Sequence, residues 1–150
     1  MRAFLATQHF ERPTLALDLD AVEAAYGALA AGLGVADGGS VIHYAVKANP
    51  DRAVLARLAR LGSGFDAASR AEIEDCLALG VAPARISFGN TVKKPADIAH
   101  AFAAGIDLFA VDAEEEIAKV AAQAPGARVF LRLAVEESEA AWPLGRKFGA

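Results

Sequence analysis

The sequence predicts an α/β fold in which parallel strands alternate with covering helices. Short apolar stretches typical of strands recur about every 20 residues from position 41 onward, and each is followed by a longer stretch with helical spacing. Glycine, proline and asparagine residues separate the two kinds of segment. With 150 residues, of which 55% are hydrophobic, the chain is long enough to bury a core. Such alternation is typical of a parallel sheet covered by helices.

The part of the chain before position 41 predicts one strand and one helix. Residues 14–17 alternate weakly in polarity and favour a short strand. Asp18 or Asp20 then begins a helix that runs to about Leu33. Either aspartate suits this position because its side chain accepts hydrogen bonds from the first turn of a helix.

Five strands and four complete crossover helices follow. The strands are predicted at residues 41–47, 65–68, 85–88, 107–111 and 128–135. The first helix carries apolar residues at the spacing of one buried face: Val54, Leu55, Leu58 and Leu61.

The starts of the other three helices have recognisable signals. Ser69 and Glu72 have the spacing of a capping box. Pro95 suits the first turn of the next helix, and Asp112 is expected to cap the last one. Cys76 lies at an apolar helical position, so we expect it in the core.

The strand at residues 41–47 delivers a lysine to its end. The face expected under the helices carries bulky side chains: Ile42, Tyr44 and Val46. The other face carries His43, expected in the core, and then Ala45, which leaves space beside Lys47. A lysine held away from water loses its proton more readily, and the neutral amine forms Schiff bases. A lysine that ends a strand is more often a solvated charge, so this strand alone supports both interpretations.

Polar residues end all five strands. They are Lys47, Asp66, Asn90, Asp112 and Arg132. We expect them to lie together, because parallel strands bring their carboxyl ends to one edge of a sheet, where such folds place their sites. Asp66 and Asp112 could instead serve only to start helices, and Asn90 only to make a turn. Apolar neighbours are expected to bury Arg132, and a buried arginine needs an anionic partner or a ligand.

Composition excludes several classes of function. The net charge is −4 and there is no basic run, which argues against nucleic-acid binding. The lone Cys76 excludes an internal disulfide, and no Cys/His spacing suggests a metal site. No apolar segment approaches the roughly 20 residues needed to span a bilayer. We therefore expect a cytoplasmic protein with no metal and no membrane segment.

Two architectures fit the order of the elements. One is an open doubly wound sheet, and the other is part of a closed (β/α)₈ barrel. A complete barrel typically needs about 250 residues. We therefore expect a truncated chain whose last strand leaves backbone groups unpaired, and which dimerises, aggregates or recruits a missing half.

Several blocks of residues, in this order, resemble a known family. The sequence YAVKAN at residues 44–49 resembles the lysine motif of pyridoxal-phosphate enzymes with the alanine-racemase-like fold. Later blocks are similar to ornithine and lysine/ornithine decarboxylases: FDAAS with Glu72, FGN followed by Lys93, FAVD with Glu116, LRL, and KFG. The resemblance covers nearly all of residues 13–150. The lysine motif is shared with racemases and diaminopimelate decarboxylases, whereas the later blocks favour the ornithine-type enzymes.

The resemblance implies a fold and an assembly. Residues 21–150 would form the N-terminal part of a partial (β/α)₈ TIM-like barrel that binds pyridoxal 5'-phosphate. Residues 1–20 would supply a short strand to a separate β-domain, which a C-terminal half completes. The resemblance also implies a head-to-tail homodimer with shared active sites, with Lys147 at the subunit contact.

The resemblance also implies roles for individual residues. Lys47 would form a Schiff base with the cofactor, and Ala45 would line the pocket of its ring. Asp66 would contact the cofactor region and orient Lys47 or Arg132, which would lie close to the pyridine ring. The ammonium of Lys47 is therefore expected to face a polar mouth shared with Asp66 and Arg132 rather than bulk water.

The implied activity is decarboxylation of ornithine or lysine to a diamine, in polyamine biosynthesis. In the family, the phosphate-binding loop and the remaining catalytic residues follow the segment that resembles this chain. We therefore expect the 150-residue chain alone to be inactive and to bind the cofactor poorly. The alternatives are a racemase or diaminopimelate decarboxylase relative, and a catalytically silent homologue that binds a partner, as antizyme-inhibitor-like proteins do.

Overall fold

The computed structural model describes residues 1–38, 40–134 and 149–150. The strands are β1 (His43–Ala45), β2 (Gly64–Ala67), β3 (Ile86–Phe88), β4 (Leu108–Val111) and β5 (Arg128–Leu131). The helices are α1 (Arg2–Ala6), α2 (Leu19–Gly32), α3 (Arg52–Arg60), α4 (Arg70–Ala78), α5 (Pro95–Ala103) and α6 (Glu114–Gln123). The chain divides into two compact units, Met1–Ser40 and Val41–Ala150.

The second unit contains one parallel sheet with strand order β1-β2-β3-β4-β5. Each neighbouring pair is joined by one helix, from α3 between β1 and β2 to α6 between β4 and β5. A doubly wound sheet reverses its strand order at a switch point, whereas a barrel adds strands in chain order. The unbroken order selects one of the two predicted architectures, an arc of a (β/α)₈ barrel.

Aromatic side chains on one face of the sheet form the centre of the core. Phe65, Phe88 and Phe109 are at most 2% exposed. Phe88 and Phe109 are cross-strand neighbours whose ring centroids lie 6.2 Å apart. Helices α3, α4 and α5 add fully buried aliphatic side chains: Leu55, Ile73 and Ile98. Burying each such side chain stabilises the fold by about 1.5–3 kcal/mol.

Three predicted helix caps can be compared with the structure. Those at Asp18 and Ser69 are confirmed, and the one at Asp112 is wrong. Asp18 caps α2 by accepting a hydrogen bond from the Ala21 N–H. Ser69 caps α4 by accepting from the Glu72 N–H at 3.3 Å. Asp112 does not cap α6, because the helix begins one residue later with Ala113 at the N-cap position.

The predicted strand at residues 14–17 is absent from the first unit. These residues have no regular structure in the described part of the chain, and α1 is a short helix that the sequence analysis did not predict. A strand exists only where a second strand accepts and donates its backbone hydrogen bonds, and residues 14–17 pair with no described strand. The predicted domain boundary between residues 20 and 21 stays a prediction.

The last strand, β5, is less buried than the sequence analysis expected. Its apolar residues Val129, Phe130 and Leu131, and Leu133 beyond it, are 41–63% exposed. No element of the described chain covers them, so apolar character alone did not bury the strand. The edge is partly paired, because the Ala150 N–H donates to the Arg132 carbonyl and the Ala134 N–H donates to the Ala150 carbonyl, both at 3.0 Å.

No described helix combines the length and apolar character that crossing a membrane requires.

Candidate functional site

One face of the five-stranded sheet borders a cavity of about 350 Å³. Its lining residues are His43, Ala45, Asp66, Ser87, Leu108 and Phe130. They come from all five strands. Side chains on this face alternate with the buried phenylalanines of the other face, as strand geometry requires. The cavity is of the size that proteins use to bind small organic molecules.

Asp66 lies at the middle of this wall. In β2 it pairs in register with Ala45 on one side and with Ser87 on the other. Its Oδ1 atom accepts a hydrogen bond of 2.7 Å from the hydroxyl of Ser87. The prediction that Asp66 and Ala45 belong to one site is therefore consistent with their positions in the cavity wall.

A glycine gives the Asp66 carboxylate its place. A Cβ atom built on Gly89, the residue that follows β3, would overlap the carboxylate of Asp66. Gly89 thus belongs to the site because it lacks a side chain. The same holds less tightly at Gly64, where a Cβ would lie 3.0 Å from the ring of His43.

His43 and Ser87 are site residues that the sequence analysis missed. His43 was expected in the core, yet it is half-buried and lines the cavity. Its Nδ1 atom lies 3.4 Å from the hydroxyl oxygen of Ser87. The available signal was strand parity, because Asp66 and Ser87 are cross-strand neighbours and point to the same face.

Lys47 does not lie where the strand pattern predicts. β1 ends at Ala45, and Lys47 sits on a single 3₁₀ turn, Val46–Ala48. Val46 is fully buried and Lys47 is exposed. Lys47 makes no hydrogen bond or ion pair with Asp66 in the described part of the chain. The expected enclosure of its ammonium in a polar mouth is therefore wrong for these residues, since the inner face of a five-stranded arc is open to water.

The structure describes Arg132 but not Lys147. Arg132 follows β5 and is exposed, which corrects the expectation of a buried arginine. Its N–H donates to the Val111 carbonyl at 2.9 Å, so its backbone continues the pairing with β4. Lys147 lies outside the described residues. The proposed roles of Arg132 and Lys147 stay predictions.

The other two strand-end residues do not line the cavity and form hydrogen bonds elsewhere. The carbonyl of Asn90 accepts a hydrogen bond of 2.9 Å from Lys93, in the turn after β3. The Oδ2 atom of Asp112 accepts from the Gly149 N–H at 3.3 Å. Asp112 therefore links the end of β4 to Gly149 and does not cap α6.

A second lysine, Lys93, lies in a buried ionic cluster behind the strand ends. Its Nζ atom lies 2.9 Å from Oε1 of Glu116 and donates to the carbonyls of Asn90 and Ala110, at 2.9 and 2.5 Å. Burial lowers the pKa of Lys93, and the neighbouring Glu116 carboxylate opposes that change. Glu116 also contacts Lys119. The cluster fastens the turn after β3 to α6.

These residues fit a pyridoxal group. The cavity offers a carboxylate at Asp66 and a small side chain at Ala45. Lys47 follows two residues beyond Ala45, at the carboxyl end of β1. Within the described ranges, no group of three His, Cys, Asp or Glu residues could hold a metal ion.

Comparisons with known proteins agree with this chemistry. A family model described as pyridoxal-dependent decarboxylase, pyridoxal binding domain, matches residues 20–150. Over 107 residues the chain is 43% identical to ornithine decarboxylase of Rattus norvegicus, covering 71% of this chain and 23% of that protein. It is also 43% identical over 107 residues to antizyme inhibitor 2 of Xenopus laevis, covering 71% of this chain and 24% of that protein.

A solved structure extends the similarity to the fold. The lysine/ornithine decarboxylase of Vibrio vulnificus, complexed with putrescine, matches with a TM-score of 0.80 at 30% identity. The match covers 99% of this chain and 37% of that one. The chain spans about a quarter of the length of the curated relatives it matches. Together with the barrel arc and the site geometry, the matched family shows that the chain belongs to the pyridoxal-dependent decarboxylases, whose pyridoxal binding domain its residues 20–150 match.

Proposed function

We propose that this chain is the lysine-bearing part of an enzyme that decarboxylates ornithine or lysine to a diamine, as a step in polyamine biosynthesis. The observation that carries the proposal is the wall formed by Ala45 and Asp66, with Lys47 following at the same end of the sheet. The names of the relatives support the substrate class, because they include ornithine decarboxylase and lysine/ornithine decarboxylase.

The chain's own residues would divide the work of holding the cofactor. Lys47 would bind the cofactor's aldehyde carbon covalently, and its exposure leaves the amine accessible for that reaction. Ala45 would leave room for the ring, and Asp66 would place a negative charge beside it. Arg132 would lie near the ring at the other edge of the arc. When bound, the pyridoxal group supplies a sink for the electrons left behind when carbon dioxide departs.

A trapping experiment tests the role of Lys47. The whole protein is incubated with pyridoxal phosphate, reduced with borohydride, and digested for peptide mapping. We expect the adduct at Lys47 and none at Lys93, whose ammonium is buried. The exposed Lys94 is the matched control for non-specific reaction, and equal labelling of Lys47 and Lys94 would contradict a specific site.

The isolated chain is also expected to be inactive. Carbon dioxide release from labelled ornithine should stay at the level of the Lys47→Ala variant. Measurable turnover by the unmodified chain would refute this prediction.

A second candidate function is a silent homologue that binds a partner protein. The specific observation in its favour is that identity to an antizyme inhibitor equals identity to an ornithine decarboxylase, 43% over 107 residues in both cases. The visible absorbance of bound cofactor, measured on the whole protein and on its Lys47→Ala variant, separates the two. No difference between them would favour the silent homologue.

The substrate and the assembly need separate measurements. Carbon dioxide release from ornithine, lysine and diaminopimelate distinguishes an ornithine-type enzyme from a diaminopimelate decarboxylase, and loss of optical activity without gas release would indicate a racemase. We also propose a cytoplasmic homodimer with shared active sites. The exposed apolar residues of β5 favour the packing of a further protein surface onto this strand. Light scattering of the whole protein tests the dimer.

A further inference from the structure

We propose that Ser87, whose hydroxyl His43 contacts, is a positioning residue that fixes the direction of the Asp66 carboxylate in the cavity. This inference rests on the proposed function, in which Asp66 faces the cofactor. It assigns roles to a serine and a histidine on two different strands that flank Asp66.

The hydrogen bonds of Ser87 favour Asp66 as the acceptor of its single proton. Ser87 is 3% exposed, so its hydroxyl must find its partners within the protein. It lies 2.7 Å from Asp66 Oδ1, but 3.4 Å from both the Phe65 carbonyl and His43 Nδ1. A hydrogen bond to a carboxylate is stronger and shorter than one to a neutral acceptor. The hydroxyl therefore donates to Asp66.

The same geometry assigns a tautomer to His43. Because the hydroxyl proton of Ser87 is directed at Asp66, its oxygen is left as an acceptor on the side of His43 Nδ1. A favourable contact there requires that His43 carries a proton on Nδ1. The order of donors then runs from His43 to Ser87 to Asp66, across three adjacent strands.

Two glycines keep this chain of groups in place. The Asp66 carboxylate lies against Gly89 and the His43 ring against Gly64, and neither glycine tolerates a Cβ without a shift of its neighbour. The carboxylate is therefore limited on one side by the backbone of Gly89 and on the other by the Ser87 hydroxyl. Asp66 Oδ2 accepts no hydrogen bond from any described residue, which leaves this oxygen available to a bound group.

A purely structural role for Ser87 predicts a different outcome. In that case the hydroxyl serves only to satisfy a buried polar atom, and its loss would lower stability without moving the carboxylate. Thr91 provides the matched control. Its hydroxyl is also buried, and it has no hydrogen-bond partner among the described residues.

The test compares Ser87→Ala, Ser87→Thr and Thr91→Val in the whole protein. The first measurement is the crystal structure of each ligand-free variant. We expect the Asp66 carboxylate to rotate in Ser87→Ala, and to keep its direction in Ser87→Thr and Thr91→Val. The ¹⁵N chemical shift of His43 Nδ1, protonated in the parent, should change in Ser87→Ala only.

The second measurement is the dissociation constant of pyridoxal phosphate, from visible absorbance. We expect about a tenfold increase in Ser87→Ala, the size of one lost hydrogen bond to a charged group, and none in Thr91→Val. An unmoved carboxylate together with an unchanged dissociation constant would overturn the proposal. If the parent protein binds no cofactor, the proposed function fails, while the direction of the carboxylate still decides the role of Ser87.

Discussion

Two lysines that follow strands of the same sheet have opposite surroundings. Lys47 comes two residues after β1, is exposed, and makes no ion pair with a described residue. Lys93 comes five residues after β3, is 4% exposed, and has Glu116 and two carbonyls around its ammonium. The lowered pKa expected of a lysine held away from water is therefore found at Lys93, whose burial causes it.

This difference shows that a perturbed lysine is not by itself a reactive one. The amine of Lys93 is enclosed by its partners, so no ligand can reach it while the chain is folded. Perturbed titration occurs in structural ion clusters as well as in active sites. Accessibility at the carboxyl end of the strand that contains Ala45 distinguishes Lys47 as the candidate for covalent chemistry.

The largest effect expected from this contrast is on the free energy of unfolding. Lys93→Met should lower the free energy of unfolding by about 1–3 kcal/mol, because Glu116 loses one of its two lysine partners while its contact with Lys119 remains. Lys47→Met should change it by less than about 0.5 kcal/mol, as surface substitutions do. Chemical denaturation of the 150-residue chain and both variants measures the two effects. Equal losses in the two variants would show that the contrast in burial is wrong.

Much of the fold follows from local signals in the sequence. The Ser69–Glu72 spacing, the apolar face of α3 and the apolar stretch of β2 each depend on residues that are close together in the sequence. Their interactions are therefore encoded where they occur. The carboxylate of Glu72 even reaches back to the Ala68 N–H at 2.6 Å, one residue earlier than a standard capping box.

The environments that could not be predicted depend on distant residues. The strand at residues 14–17 requires a partner strand, which the described residues do not supply. The burial of Arg132 requires a covering segment, and Arg132 is exposed in the described part of the chain. Local sequence also placed Lys47 on a strand, whereas the register with β2 ends at Ala45 and the chain then turns toward α3. Pairing across the sheet decides where a strand stops.

The site was predicted in part for the same reason. Asp66 was predicted because it is a polar residue at the end of a strand, and Ala45 because it is a small residue that leaves space beside Lys47. Ser87 and His43 were missed because their importance lies in cross-strand neighbours, which a single sequence does not reveal. Gly89 was noted only as part of the FGN block, although its missing side chain makes room for Asp66.

A second test asks whether burial without an ion-pair partner keeps a group neutral. Burial raises the pKa of the Cys76 thiol from 9.0 to about 12, with Asp75 and Glu72 adding to the effect. Above pH 9 the unfolded thiol releases its proton and the folded one keeps it, so the folded state loses stability as pH rises through this window. We expect the stability difference between the parent and Cys76→Ala to fall by about 1 kcal/mol between pH 8 and pH 10. A constant difference would mean that the thiol is accessible, and thiol labelling of the native chain checks this directly.

The smallest effect is expected where an ion pair forms without burial. Arg128 and Asp107 make a two-bonded pair at 2.9 and 2.7 Å, but both side chains are exposed. Arg128 lowers the pKa of Asp107, so any stabilisation is present at neutral pH and is lost as pH falls through the lowered value. Because water screens such a pair, Arg128→Ala should leave the denaturation midpoint unchanged at pH 7, at both low and high salt. A loss comparable to that of Lys93→Met would mean that pairing geometry, and not burial, sets the cost of removing a charge from this fold.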